Sequence, residues 1–160
     1  MAADYFLQIT GVPGESTDAK HKDWINVESW SWGETNSGSA HAGGGAGAGR
    51  VVINDFFFTT HVSKASPKLF LACASGQHLK EAKLVAVKPG KGQQEFLTWT
   101  FSDVLVTGYQ TGGADTEDAP RDQVSLNFAK LRVEYKAQKA DGSLDAPIVA
   151  GWDAKANKKL

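Results

Sequence analysis

The chain has 160 residues, 41% of them hydrophobic and 22% charged, with a formal net charge of −1. That length fits one domain spanning 1–160 with room for a full core. The near-neutral balance gives no electrostatic footprint for nucleic acid or an anionic membrane, and little protection against self-association.

In chain order, "MAADYFLQITGVPGE" has neither the basic start nor the long apolar run of a secretory leader, so synthesis in the cytoplasm without a signal peptide is expected. Tyr5–Ile9 reads as a short strand and Asp23–Trp32 as a longer one. A glycine-rich loop at about 36–50 follows, and its five glycines between His41 and Arg50 are Gly43, Gly44, Gly45, Gly47 and Gly49. Strands then follow in "RVVINDFFFTTHV", "KEAKLVAVK", "EFLTWTFSDVLVTGY", "QVSLNFAKLRVEYKAQ" and "PIVAGWDA". One segment breaks the period of two. "SPKLFLACASG" offers Ser66 as N-cap, Pro67 in the first turn, Leu69, Phe70 and Cys73 at helical spacing, and Gly76 as a stop. The expected fold is mainly β with one short helix. No apolar run approaches the roughly 18 residues of a membrane helix.

Three strands change phase partway. Ile25 and Val27 give way to Trp30 and Trp32; Leu97, Trp99 and Phe101 to Val104 and Val106; Val124, Leu126 and Phe128 to Leu131, Val133 and Tyr135. Such a slip marks a bulge or a strong bend, which suits a small barrel or an orthogonal sandwich. It also suits strands buried on both faces, one of them against another subunit. The two readings are compatible.

Chemistry-bearing patterns are sparse. Gly43 to Ala48 formally matches G-x-G-x-x-A, but a polar stretch precedes it and a strand follows, so no helix N-terminus receives a pyrophosphate. A P-loop would need Gly-Lys-Ser/Thr where Gly49-Arg50-Val51 stands. The segment is left as a surface loop or an arm that orders against a partner. His21, His41, His61 and His78 show no ligand spacing, and Cys73, the one cysteine, excludes an internal disulfide and reads as a small core residue. Asp115, Glu117, Asp118 and Asp122 lack the spacing of a calcium loop and read as a solvated acidic loop. The "KANKKL" end reads as solvent dressing. Trp24, Trp30, Trp32, Trp99 and Trp152 fall mostly on apolar phases, which favours core or interface packing. A carbohydrate-binding β-sandwich with exposed tryptophans is the alternative. No catalytic set, metal site or cofactor pattern is visible, so the residues point to an interaction or structural protein.

Five strings carry a resemblance: "GESTDAKHKDWINVESWSWG", "HAGGGAGAGRV", "ASPKLFLACASGQH", "VSLNFAKLRVEYKAQKADGS" and "GWDAKANK". In this order, across the whole chain, they resemble the Hcp family, the haemolysin-coregulated tube proteins of bacterial type VI secretion. Pro13 in "GVPGEST" and the bulky Trp99 and Tyr109 depart from the family pattern.

The resemblance implies a compact β-barrel of two sheets with the helix packed against its side. It implies homohexameric rings with a wide hole, stacked into a tube inside a contractile sheath, with a valine-glycine repeat spike and a baseplate as further partners. Contraction expels the tube from the cell, and the lumen carries small effector proteins. No enzyme activity, cofactor, metal, nucleic acid or membrane insertion is implied, and the end at "GWDAKANK" leaves no fused toxin expected. His41, Gly43, Gly44, Gly45, Gly47 and Gly49 are the expected ring-stacking loop. Ordering such a loop costs ~1–2 kcal/mol per residue, offset when six contacts form together. By the same resemblance the S-W-S-W segment approaches the inner wall. If the tryptophans face the core, Ser31 faces away from it and is the lumen candidate.

Overall fold

A computed structural model describes residues 3–38, 50–90 and 92–160. Its elements are β1 (Asp4–Ile9), β2 (Ile25–Val27), β3 (Ser29–Ser31), β4 (Glu34–Thr35), β5 (Val52–Ile53), β6 (Phe56–His61), α1 (Ala65–Ser75), β7 (His78–Val87), β8 (Glu95–Gly112), β9 (Arg121–Asn127), β10 (Lys130–Tyr135), β11 (Ile148–Asp153) and β12 (Lys158–Lys159). All pairings are antiparallel.

The long strand β8 organises the rest. β7 runs along one edge. Along the other edge, Leu97–Ser102 pair with β10 and Leu105–Gly112 pair with β9. From β7 the sheet continues through β1 to β2, and from β9 through β6 to β3. As expected the fold is mainly β with two sheets, the second being the β4–β5 pair, but hydrogen bonding does not close the large sheet into a barrel. The seam is bridged by the chain itself: Glu28 joins β2, which pairs with β1, to β3, which pairs with β6. The Glu28 amide donates to the Thr59 carbonyl at 2.9 Å, holding the step in place. β10, β11 and β12 extend the sheet beyond this ring of strands.

All three sequence phase slips take physical form. The first is the break at Glu28, so the expected single strand Asp23–Trp32 is two strands. The second lies at Asp103, whose φ of 55° is left-handed, a region aspartate tolerates better than most residues. The third is the gap between β9 and β10 at Phe128 and Ala129. Ser102 pairs with Glu81 on one side and Lys130 on the other, so the second and third slips lie on one line across the sheet. There the inward face passes from Phe101 to Val104 and from Phe128 to Leu131, and in β7 from Leu79 to Ala82. A coordinated bend keeps all three strands wrapped around one core.

That core is aromatic at its centre. Phe56, Phe58 and Phe101 are essentially inaccessible, and the Phe101 ring lies 4.8 Å from Phe56 and 4.7 Å from Phe128. The helix covers one end of the core with Leu69 and Ala72. It starts at Ala65, with Lys64 at the cap position, so Ser66 is not the N-cap that its type and position suggested. The Ser66 hydroxyl instead donates to buried Asp122 at 2.5 Å, where an isolated carboxylate would be costly, while the Lys64 and Ala65 amides at the helix start donate to Glu15 and to the Ser63 hydroxyl. Gly76 ends the helix at φ 66°, as expected. Of the residues at helical spacing, Leu69 is buried and Phe70 is exposed.

The segment before β2 is fastened by His21, which is fully buried. Its ring stacks on Phe6 at 4.5 Å, with Nδ1 2.7 Å from Asp18 Oδ2 and Nε2 2.6 Å from Glu95 Oε1. Desolvation pushes the Asp18 carboxyl up, but hydrogen bonds to His21, Gln93 and the Lys20 amide outweigh it, and its pKa lies below the ordinary 3.8. A carboxyl lowered on folding contributes stability that is present above its unfolded pKa and lost as pH falls through the folded one. Asp18→Asn is therefore expected to be less stable than the parent at pH 7, with the gap closing below about pH 4. Urea midpoints from pH 7 to pH 3 measure this; a gap constant over that range would refute it.

Candidate functional site

Strands β3, β6, β9 and the far half of β8 present their outer face as rows of cross-strand neighbours. One row runs Ser31, Phe57, Ser125 and Gly108. The next runs Ser29, Thr59, Gln123 and Gln110. Trp30, between the two serines, packs against the core, so Ser31 is exposed on the opposite side, as its alternation requires.

Short side chains bonded to one another build this surface. Ser29 Oγ lies 2.6 Å from Thr59 Oγ1. Thr107 donates to Asp55 at 2.6 Å, and Asn127 donates to the other Asp55 oxygen at 2.9 Å. A longer side chain at Gly108 would strike Ser125 Oγ, 2.5 Å from an added Cβ, which keeps this part of the row low. Phe57 is the exception, half exposed beside Ser31. Its neighbours Phe56 and Phe58 point inward, so the Phe-Phe-Phe run places one ring outside by strict alternation. That alternation is legible in the sequence.

One end of the face carries charge. Arg121 Nε donates to both Glu28 oxygens at 3.0 and 3.1 Å, and Nη1 donates to Glu117 at 2.5 Å. Both carboxylates raise the guanidinium pKa. His61 Nε2 stands 3.8 Å from Glu28. Asp122, grouped by sequence with the solvated acids, lies in β9 with no exposure. It accepts from Ser66 and, at 2.9 Å, from Tyr109, whose phenol is pushed up by burial and by this bond. This trio ties α1 to the sheet.

His41, Gly43, Gly44, Gly45, Gly47 and Gly49 lie outside the described residues. The chain on either side of them is paired, Glu34 with Ile53 and Thr35 with Val52. None of the five tryptophans is exposed: Trp30, Trp32, Trp99 and Trp152 pack on the main core and Trp24 on a smaller cluster with Phe6 and Val85. The sugar-binding alternative called for exposed tryptophans, and these five are only partly open. Among the described residues no group of three or more His, Cys, Asp or Glu side chains is placed to hold a metal ion. No helix among them is long and apolar enough to cross a membrane. The polar face can make many shallow, interchangeable contacts with a polypeptide, with Phe57 as its one adhesive point.

The family model described as "Type VI secretion system effector, Hcp" matches residues 6–135. "Protein hcp1" of Pseudomonas aeruginosa is 46% identical over 159 residues, 98% of each chain. Hcp1 from Salmonella typhimurium, a crystal structure, superposes with a TM-score of 0.82 at 40% identity over all of both chains. A structure described as a type six secretion system protein gives a TM-score of 0.93 at 30% identity, covering 99% of this chain and 100% of the other.

Proposed function

Because the chain belongs to the Hcp family of type VI secretion system proteins, we propose that it is the tube subunit of such a system. It forms homohexameric rings that stack, inside a contractile sheath and against a spike and baseplate, into a tube expelled from the bacterium. It works without enzymatic chemistry and carries small effector proteins in the ring lumen. The observation that carries this reading is the outer face of β3, β6, β9 and β8. A wall of small hydrogen-bonded polar groups lets different cargoes pass without holding any of them tightly, with Asp55 held between Thr107 and Asn127 and the other charges paired around Arg121. Ser31 and Phe57 lie on that wall, and the glycine-rich segment from His41 to Gly49 serves ring-to-ring contact.

Native mass spectrometry at micromolar concentration is expected to show a six-fold mass; a monomer there removes the proposal. Ser31→Gln is expected to keep that mass, since no core volume changes, while its longer side chain covers Phe57. Recovery of a co-expressed small effector with the ring then changes several-fold. Equal recovery for every effector tried would take Ser31 off the lumen wall, and loss of the six-fold mass would place it in a subunit contact.

A further inference from the structure

Two apolar surfaces of this chain are left without cover, and they sit at opposite ends of β8. The first is on the helix. Leu69 and Ala72 are buried, yet Pro67, Phe70, Leu71 and Ala74 form a second stripe at i, i+3, i+4 and i+7 that faces solvent. Phe70 is 58% and Leu71 59% exposed. A surface helix normally carries polar residues there; one that is apolar on both faces is built to be covered twice. Near this end Phe70 meets Tyr109 of β8, with ring centroids 6.4 Å apart.

The second surface is the continuation of the core face onto β8, β10 and β11. Its first row, Phe101, Leu131 and Trp152, belongs to the core or packs on it. The next, Trp99, Val133 and Ala150, is partly open, and in the third Leu97 is partly open while Tyr135 and Ile148 are exposed, Ile148 by 71%. The core face thus runs out from under its cover. Beside the middle row, Trp32 and Glu34 complete a pocket of about 170 Å³. Trp99 and Trp152 in that pocket's lining hold buried indole Nε1 groups with no hydrogen-bond acceptor. A buried N–H left unpaired is costly, so a pair of them marks a surface completed by something else.

We propose that the helix stripe of one copy seats on the β8–β10–β11 face of the next, making the contact that closes the ring. This rests on the ring reading above and names the surfaces it uses. The two patches lie too far apart on one chain to cover each other, but a second copy brings them together. The contact is then heterologous, different surfaces meeting head to tail, which is the kind that repeats into a closed ring. Charge agrees: exposed Lys68 flanks the stripe, and exposed Glu34 stands at the pocket that receives it. Covering Phe70, Leu71, Tyr135 and Ile148 removes half of the eight large apolar side chains that the described residues expose besides Phe57.

The test places cysteines across the contact in a Cys73→Ala background. Leu71→Cys with Ile148→Cys in one chain, treated with a short bismaleimide, is expected to give a denaturing-gel ladder that ends at six subunits. Either cysteine alone gives no ladder. Independently, Leu71→Glu is expected to raise the concentration for half-assembly at least about tenfold. Its circular dichroism should not change, because Leu71 is exposed in the single chain, and adding Ile148→Lys should restore assembly. A six-fold mass for the parent with no ladder and an undisturbed Leu71→Glu hexamer overturns this contact and leaves the ring reading standing. A ladder running past six subunits places the contact between rings and also overturns it. A monomeric parent overturns both.

Discussion

Phe101→Ala is expected to lower unfolding stability by about 3–5 kcal/mol, the range for truncating a large, fully buried aromatic ring. Phe101 has no exposure and sits in β8, the strand that β7 flanks on one edge and β10 on the other. Its ring touches Phe56 and Phe128 and stacks on Trp99 at 6.4 Å, so truncation breaks ring contacts toward three other aromatic side chains. Phe56 and Trp99 hang from paired strands, and Phe128 is held in the short gap between β9 and β10, so they cannot move in to fill the space, which keeps the cavity open and the cost near the top of the range. The measurement is the urea midpoint at fixed protein concentration, since assembly adds to apparent stability. A loss under about 1 kcal/mol would mean the bend at Asp103 is soft enough for the sheet to collapse onto the cavity.

Phe101 also shows how much of the fold was legible in the sequence. Its place one step before a phase slip was readable, as were the slips after Val27 and Phe128, because each is a local break in alternation. Their alignment across neighbouring strands was not, because register is set by pairing between residues far apart in the chain. In β7 the slip from Leu79 to Ala82 was hidden: Leu79 alone carries the phase before it, and beyond it Leu84, Val85, Ala86 and Val87 are all buried, since Val85 and Val87 face a second cluster with Phe6. A run buried on both faces has no period to read. The helix was recognised and its end at Gly76 placed, but its start and Phe70 were not. Ser66 looked like a cap because its partner Asp122, 56 residues away, was invisible. His21 was an isolated histidine for the same reason: Glu95 lies 74 residues on. Ser31 faces outward because alternation alone decides it, and Phe57 was within reach of the same argument.

Gly14→Ala is expected to cost about 1–3 kcal/mol, the usual range for overpacking, and to act on the seam rather than on the core itself. An added Cβ at Gly14 would lie 2.5 Å from the Trp24 carbonyl oxygen and 2.7 Å from Ile25 Cα. Both are backbone atoms, so no side chain can swing aside. The two stretches are also bonded to each other: the Gly14 amide donates to Asp23 O at 2.7 Å, Asp23 N to Ser16 O at 2.9 Å, and Ser16 N to Trp24 O at 3.0 Å. Pushing them apart strains these bonds and shifts Ile25, which is 1% exposed in the core and opens β2. Gly113→Ala is the control. There an added Cβ would only touch Pro120 Cβ at 3.4 Å, ordinary packing, and the change should stay within about 0.5 kcal/mol. Urea midpoints of the two variants, with amide exchange at Ser16 and Asp23, make the comparison. If both variants lose the same stability, the close approach at Gly14 is not what holds the segment down. If Gly14→Ala speeds exchange at those two amides far more than it lowers the midpoint, the seam opens by itself, below the free energy of global unfolding. The step at Glu28 would then be the weak point in the ring of strands, because there the chain closes the fold without a continuous ladder.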